Sequence, residues 1–137
     1  MRRFAVIGLG QFGSQVARSL ALLGAEVLAI DSQSHRCDQL KNCDGVYPMC
    51  LDATDQTALG ACGIESVEAA IVAIRQSMDA SVRAATNLRR LAIPQIIARA
   101  VDQVHGDILE RIGCSSVVFP DQTMGEKIAG LVFAPDL

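Results

Sequence analysis

The sequence GLGQFG at positions 8–13 is the feature that most constrains how this chain folds. It directly follows a short apolar segment, 3–8, with the composition of a buried β-strand, and it opens a stretch whose apolar residues recur at helical spacing. A second apolar segment, 26–31, ends in an acid, Asp31, 18 positions after the last glycine of the motif. A strand, a glycine turn, a helix and a second strand within about 30 residues are typical of a parallel βαβ unit.

The same alternation continues along the rest of the chain. Further strands are predicted at 45–50, 67–74, 95–99 and 116–119, and helices at 11–23, 32–41, 56–62, 77–91, 103–112 and 121–133. The segment 67–74 is nearly all apolar, as in a strand that is covered on both faces in the middle of a parallel sheet. We therefore predict one α/β domain over residues 1–137, a doubly wound Rossmann fold. Its six parallel strands are expected in the order 3-2-1-4-5-6, with helices on both faces.

Composition excludes several classes of protein. Twelve Lys and Arg against 15 Asp and Glu give a net charge of −3, so the chain has no general attraction to nucleic acid or anionic lipid. No apolar run approaches the roughly 20 residues that span a bilayer, and the first one ends too early for a secretory signal. Five cysteines without a CxxC pair are typical of a reducing compartment, and His35, Cys37 and Cys43 lack the spacing of a zinc site. We predict a soluble cytoplasmic protein.

The glycine turn and Asp31 predict a site for an adenine nucleotide. Gly8 permits a tight turn, Gly10 lacks a Cβ and lets a pyrophosphate approach the backbone, and Gly13 lets the helix pack closely on the sheet. The N–H groups of the first helical turn attract phosphates. Asp31 is expected to accept hydrogen bonds from the ribose hydroxyls and to repel a 2′-phosphate. The alternative is a glycine turn that binds no ligand, beside a solvated aspartate.

Taken together, several segments resemble the RCK/KTN family, the domains that regulate potassium channels and Ktr/Trk potassium-uptake systems. The segments are FAVIGLGQFG at 4–13, LDATD at 51–55, GI at 63–64, IARA at 97–100, LERIG at 109–113, PD at 120–121 and MG at 124–125. They are spread over nearly the whole chain. Within this family the chain most resembles the cytosolic regulatory subunits of Ktr systems.

The resemblance implies a regulatory domain that binds ATP or ADP, or NAD or NADH, and gates ion flux. It also implies dimers, an octameric ring and a membrane-embedded channel or transporter subunit as partner, at the inner face of the membrane. The last helix, about 121–133, is a candidate intersubunit element, and Asp121 matches an acidic position suited to a divalent cation. The candidate nucleotide-binding residues are Gly8, Gly10, Gln11, Phe12, Gly13, Asp31, Ser32, Asp52, Ala53, Thr54, Ala73, Ile74, Arg75 and Arg99.

Two positions depart from the pattern of the family. Ktr subunits often carry arginine where this chain has Gln11. That arginine reaches the terminal phosphate, so its absence here removes a charge that would favour ATP over ADP. Arg75 follows the fourth predicted strand, where a small residue is more usual, and the strand order places it at the mouth of the nucleotide crevice. One hypothesis is that Arg75 supplies the phosphate charge that Gln11 lacks. The alternative is a solvated surface arginine.

The chain shows no catalytic constellation. A dehydrogenase needs a second region that holds substrate beside the nicotinamide, and the nucleotide fold uses all 137 residues. His35 is expected near the adenosine, and His105 is expected to pack or to be exposed after the fifth strand. We predict a regulator and no enzyme activity. The alternatives are an NAD-binding part of an oxidoreductase, a redox-sensing module and, disfavoured by the acidic balance, a nucleic-acid regulator. Because the full-length proteins of the family usually continue into a smaller domain, the chain is expected to be an excised domain or a short natural form.

Overall fold

Strands and helices alternate along the whole chain in a computed structural model, which describes residues 1–134 and 136. The strands are β1 (Arg3–Ile7), β2 (Glu26–Asp31), β3 (Val46–Cys50), β4 (Ala69–Val72), β5 (Gln95–Arg99) and β6 (Ser116–Val118). The helices are α1 (Gln11–Leu22), α2 (Ser34–Asp38), α3 (Gln56–Gly60), α4 (Met78–Arg90), α5 (Gln103–Ile112) and α6 (Pro120–Phe133). All strand pairs are parallel, in the order β3-β2-β1-β4-β5-β6. The predicted fold class and strand order are confirmed.

Aliphatic side chains fill both faces of the sheet. On one face, α1 and α2 pack over β1, β2 and β3, and they bury residues such as Val6, Val27 and Leu40. On the other face, α3, α4 and α5 pack around the centre of the sheet and bury residues such as Leu88 and Leu109. The central strand β4 is buried along its whole length, as its uninterrupted apolar sequence predicts. The helices that follow β1 and β2 therefore lie on one face of the sheet, and those that follow β3, β4 and β5 lie on the other. The change of face occurs between the neighbouring strands β1 and β4.

Most predicted bounds lie within two residues of the observed ones, but two predicted elements are longer than the observed ones by more than that. The helix predicted at 32–41 ends at Asp38, because the next residues form tighter turns. In one of these turns the N–H of Leu40 bonds the carbonyl of Cys37, and the Leu40 side chain is buried in the core. The strand predicted at 67–74 spans only Ala69–Val72. Its last contact with β1 is the bond from Ala73 N–H to the carbonyl of Ile7, after which the chain crosses the glycine turn.

His105 lies in the first turn of α5 and is fully buried. Its Nδ1 accepts the N–H of Val101 at 3.1 Å, and its Nε2 is 3.1 Å from Ser81 Oγ on α4. Burial lowers the pKa of His105, with a smaller opposing effect from Asp102. The ring therefore joins α5 to α4 in the interior, which is a packing role. Among the described residues, no helix has the length and hydropathy needed to cross a membrane.

Candidate functional site

A crevice opens at the carboxyl ends of β1 and β4. Because α1 leaves β1 toward one face of the sheet and α4 leaves β4 toward the other, the two connections separate at this point. Ligands of open α/β sheets bind at such a switch point. The crevice has two parts, with cavity volumes of about 200 and 410 Å³. Both parts are lined by Gly8, Arg36 and Gln76.

The smaller cavity has the character of an adenosine site. Its walls are partly apolar, with Ile7, Ile30 and Leu51 among the lining residues. The predicted residues in this cavity are Gly8, Asp31, Ser32, Asp52, Ala53, Thr54 and Ile74. Apolar walls beside the carboxylates of Asp31 and Asp52 suit a flat, weakly polar ring attached to a polyol.

Asp31 is held in place by backbone groups. Its Oδ2 accepts the N–H of Leu9 at 2.8 Å and its Oδ1 accepts the N–H of Gln33 at 2.9 Å. The residue is only 7% exposed, so it is not the solvated aspartate of the alternative reading. A carboxylate oxygen has two acceptor positions, so Oδ1 keeps capacity for a hydroxyl group in the cavity, while Oδ2 also faces Arg36 Nη1 at 3.6 Å. The carboxylate is thus rigid, charged and aimed at the site.

The three glycines of the turn differ in what surrounds them. Gly8 has a φ of +95°, and a Cβ there would lie 2.8 Å from the backbone nitrogen of Ile74. A Cβ on Gly13 would collide with the carbonyl oxygen of Gly8. Gly10 differs from both, because the nearest atom to a Cβ there is Arg36 Nη1 at 4.0 Å. Packing within the protein therefore accounts for Gly8 and Gly13, whereas the absence of a side chain at Gly10 keeps a space open.

The larger cavity is lined by three arginines. Besides Arg36 these are Arg75 and Arg99, and the predicted residues Gly10, Gln11, Phe12, Ala73 and Asp121 also line it. The guanidinium of Arg99 lies 5.0 Å from the centre of the Phe12 ring. Arg99 Nη2 and Arg75 Nη2 approach the same oxygen of Asp121, at 3.2 and 3.4 Å. With three cations and one acid around the open side of the glycine turn, this cavity suits phosphate groups.

The first turn of α1 faces this cavity without a side-chain cap. Its N-cap residue, Gly10, makes no side-chain hydrogen bond, and the first helical acceptor is the carbonyl of Gly10, which bonds Ser14 N–H at 2.9 Å. The N–H groups at 11–13 precede that bond and point out of the helix end. Such groups bind anions at helix N-termini.

The loop after β3 is fixed against the adenosine cavity by polar contacts. Asp52 Oδ1 accepts both the N–H and the hydroxyl of Thr54, at 2.9 and 2.7 Å, and these bonds lower the pKa of Asp52. The buried amide of Asn87 on α4 donates to the carbonyl of Ala53 at 3.0 Å. The cavity wall is therefore preorganised, since each contact fixes the loop before a ligand arrives.

The structure brings the predicted site residues together, with one exception. Gly13 lines neither cavity and instead packs beneath the turn against Gly8. Sequence reasoning missed Arg36 and Gln76, which line both cavities. The sequence signal that could have indicated Arg36 is its position, as a basic residue in the helix that follows Asp31 and five positions after that acid.

The divalent-cation role of Asp121 stays a prediction. The two arginines described above share its carboxylate, and the side chain of Asp121 is 73% exposed. Over residues 1–134 and 136, no three His, Cys, Asp or Glu side chains are grouped as a metal site requires. The same finding covers His35, Cys37 and Cys43.

A model of the TrkA-N domain matches residues 4–120 of the chain. The Ktr system potassium uptake proteins A and C of Bacillus subtilis (strain 168) are 35% and 30% identical to it over 128 residues. These alignments cover 93% of this chain but 57% and 58% of the relatives, so the chain spans somewhat more than half of their length. D-erythrulose reductase of Gallus gallus is more distant, at 28% identity over 120 residues, 73% of this chain and 49% of that protein.

Solved structures share the fold. The TrkA-N domain of inner membrane protein ybaL from Escherichia coli has a TM-score of 0.82 at 18% identity, over 95% of this chain and 96% of that chain. The GsuK channel bound to NAD has a TM-score of 0.75 at 19% identity, over 85% of this chain and 21% of that chain. GsuK bound to ADP gives 0.74 at 19%, over 85% and 31% of the two chains. At these identities the likeness establishes the fold alone.

Proposed function

The chain belongs to the TrkA-N domain family, and from this premise we propose that it is a nucleotide-binding regulatory domain of a potassium channel or potassium-uptake system. It is a homologue of the Ktr potassium uptake proteins. One observation carries the proposal. A rigid, buried carboxylate, Asp31, and the open space over Gly10 lie in two adjoining cavities of one crevice, as the ribose and the diphosphate of one ligand require.

The residues present fit an adenosine diphosphate unit. The adenine would occupy the apolar part of the smaller cavity, the ribose hydroxyls would bond Asp31, and the phosphates would lie over Gly10 toward the arginines. ATP, ADP, NAD and NADH all contain this unit. A 2′-phosphate would meet the Asp31 carboxylate, which disfavours NADP.

The contacts of Asp121 suggest how a bound nucleotide acts on the rest of an assembly. Asp121 is in the first turn of α6, and its carboxylate is held by Arg75 and Arg99 at the edge of the phosphate cavity. Phosphates in that cavity compete with Asp121 for the two cations. Because α6 buries none of its residues against the described domain, its orientation depends on few contacts. A nucleotide that binds two orientations of α6 with different affinity shifts their populations, and one that binds both equally shifts nothing.

The apolar surface of α6 predicts self-association. Ile128, Leu131, Val132 and Phe133 are exposed on this helix. We expect light scattering at high concentration to give at least a dimer, and Leu131→Asp to shift the mass toward the monomer. Leu22→Asp, which places the same charge on another exposed leucine, is the matched control and is expected to leave the mass unchanged. A strict monomer in the unsubstituted protein would contradict this prediction.

The proposal extends to the assembly and its place in the cell. The dimer is expected to contribute to a ring, up to an octamer, that acts on a membrane-embedded channel or transporter subunit from the cytoplasm. The likeness to the Ktr uptake proteins supports this part of the proposal.

A thermal-shift panel tests the proposed function. AMP, ADP, ATP, NAD and NADH are compared with and without Mg²⁺, with NADP as the matched control for NAD. We expect ADP, ATP, NAD and NADH to stabilise the chain more than AMP and NADP do. A ligand at 100 times its Kd adds about 2.7 kcal/mol to the free energy of unfolding of the ligand-free chain. The absence of a shift with every compound at millimolar concentration would contradict the proposal.

The second candidate is an NAD-binding module of an oxidoreductase, favoured by the similarity to D-erythrulose reductase. In the part of the chain that the structure describes, no His, Tyr or Lys lines either cavity. These residue types commonly serve as the proton donor of such reactions. An assay of NADH and NADPH oxidation with small carbonyl substrates separates the two functions, because a regulator shows no turnover.

A further inference from the structure

We propose that Arg36 is the cation that binds the diphosphate of the nucleotide, and that Asp31 and Gln76 hold it ready for that role. The inference rests on the proposed function and deepens it, because it names the group that distinguishes a nucleoside diphosphate from a nucleoside. It also assigns to α2 the charge that the glycine turn lacks at Gln11.

The position of Arg36 at the junction of the two cavities is the first argument. Its side chain lines both of them and is 24% exposed. Nη1 lies 4.0 Å from the point where a Cβ on Gly10 would stand. The guanidinium therefore lies beside the open position of the turn, where it can reach a phosphate bound over Gly10.

The partners of Arg36 are the second argument. Nη1 lies 3.6 Å from Asp31 Oδ2, and Gln76, with its amide oxygen facing the guanidinium, accepts from Nη2 at 2.8 Å. A guanidinium has five N–H donors. Gln76 accepts one from each terminal nitrogen and Asp31 faces the second donor of Nη1, so the Nε–H and one N–H of Nη2 are left for phosphate oxygens. Asp31 is also bonded by the N–H groups of Leu9 and Gln33, so the pair with Arg36 is not what fixes the carboxylate. The arginine can turn to a phosphate without releasing Asp31.

The other two arginines of the cavity are engaged differently. Arg99 is buried, lies over the Phe12 ring and donates to Asp121. The side chain of Arg75 is 67% exposed and pairs with the same Asp121. Both therefore share one carboxylate at the far side of the cavity, near the start of α6. Arg36 is the arginine that lies between the ribose acid and the glycine turn.

The test compares affinity for ADP and for adenosine in the full chain by isothermal titration. Arg36→Gln is expected to lower ADP affinity about 10- to 100-fold, the effect of a lost charge-assisted hydrogen bond, and to change adenosine affinity by less than about threefold. Arg36→Lys, which keeps the charge, is expected to recover part of the ADP affinity. Arg83→Gln, at an exposed arginine that pairs with Asp79 and lines neither cavity, is the matched control and is expected to change ADP affinity by less than about threefold. Arg75→Gln is measured as the competing assignment of the phosphate charge. The melting temperature of each variant is measured alongside, and Arg36→Lys serves as the test if Arg36→Gln is unfolded.

Three outcomes would overturn the inference. In the first, Arg36→Gln leaves ADP affinity unchanged. In the second, it lowers ADP and adenosine affinity equally, which would make Arg36 a support for Asp31 alone. In the third, Arg75→Gln alone removes the ADP preference, which assigns the charge to the residue that the sequence singled out. A wild-type chain that binds neither compound would overturn the proposed function itself, whereas these three results would leave that function standing.

Discussion

Gly10→Ala is expected to lower the affinity for ADP about 100-fold while leaving the free energy of unfolding nearly unchanged. In the protein alone, a Cβ at Gly10 has open space, and the backbone there has φ −70° and ψ −164°, which alanine adopts without strain. With a ligand bound, the same methyl group would stand where the phosphates approach the backbone. Titration with ADP and urea denaturation of the same preparation measure the two effects.

Gly13→Ala is the matched control for this prediction. Its added methyl group meets the carbonyl oxygen of Gly8, so the turn and the helix cannot both keep their positions. We expect a loss of about 3 kcal/mol or more in the free energy of unfolding. If Gly10→Ala bound ADP as tightly as the unsubstituted protein, the space over Gly10 would not be the phosphate site.

Asp31→Ala is expected to lower both the affinity for adenosine nucleotides and the stability of the fold. The loss of bonds to the ribose costs about 1.5–3 kcal/mol of binding. The N–H groups of Leu9 and Gln33 lose their acceptor, which costs about 1–3 kcal/mol of unfolding free energy for each group that stays buried. Unlike Arg36→Gln, this variant is expected to weaken ADP and adenosine alike.

Dideoxy-ADP, which lacks both ribose hydroxyls, separates the binding effect of Asp31 from its structural effect. The unsubstituted protein is expected to prefer ADP over 2′,3′-dideoxy-ADP by about tenfold or more, and Asp31→Ala to show no preference. Asp79→Ala is the control, because Asp79 is exposed, lines neither cavity and pairs with Arg83 on its own helix at 2.9 Å. If the unsubstituted protein bound ADP and 2′,3′-dideoxy-ADP with equal affinity, the proposed contact of Asp31 with the ribose hydroxyls would be contradicted.

The fold was predictable because its determinants are local. Each strand is a short apolar segment between a helical pattern and a turn, and the acid at the end of β2 follows the glycine motif at the expected distance. The register of β1 with β2, which pairs Ile7 with Ile30, then brings Gly8 and Asp31 to the same edge of the sheet. Nothing more than the order of the strands was needed to predict the place of the crevice.

The parts of the site that sequence reasoning missed depend on tertiary structure. The sequence shows that Arg36 is a basic residue shortly after Asp31, but its direction depends on the packing of α2 against β2 and β3, which turns it toward Gly10. Gln76 lies in the connection after β4, whose path over the glycine turn has no signal in the sequence.

The structure of the chain with bound ADP tests the central claim most directly. Crystals grown at saturating ADP are expected to show the ribose hydroxyls at hydrogen-bond distance from Asp31 and the diphosphate over Gly10, beside the guanidinium of Arg36. An empty crevice at that concentration, or ADP bound at any other surface, would contradict the account.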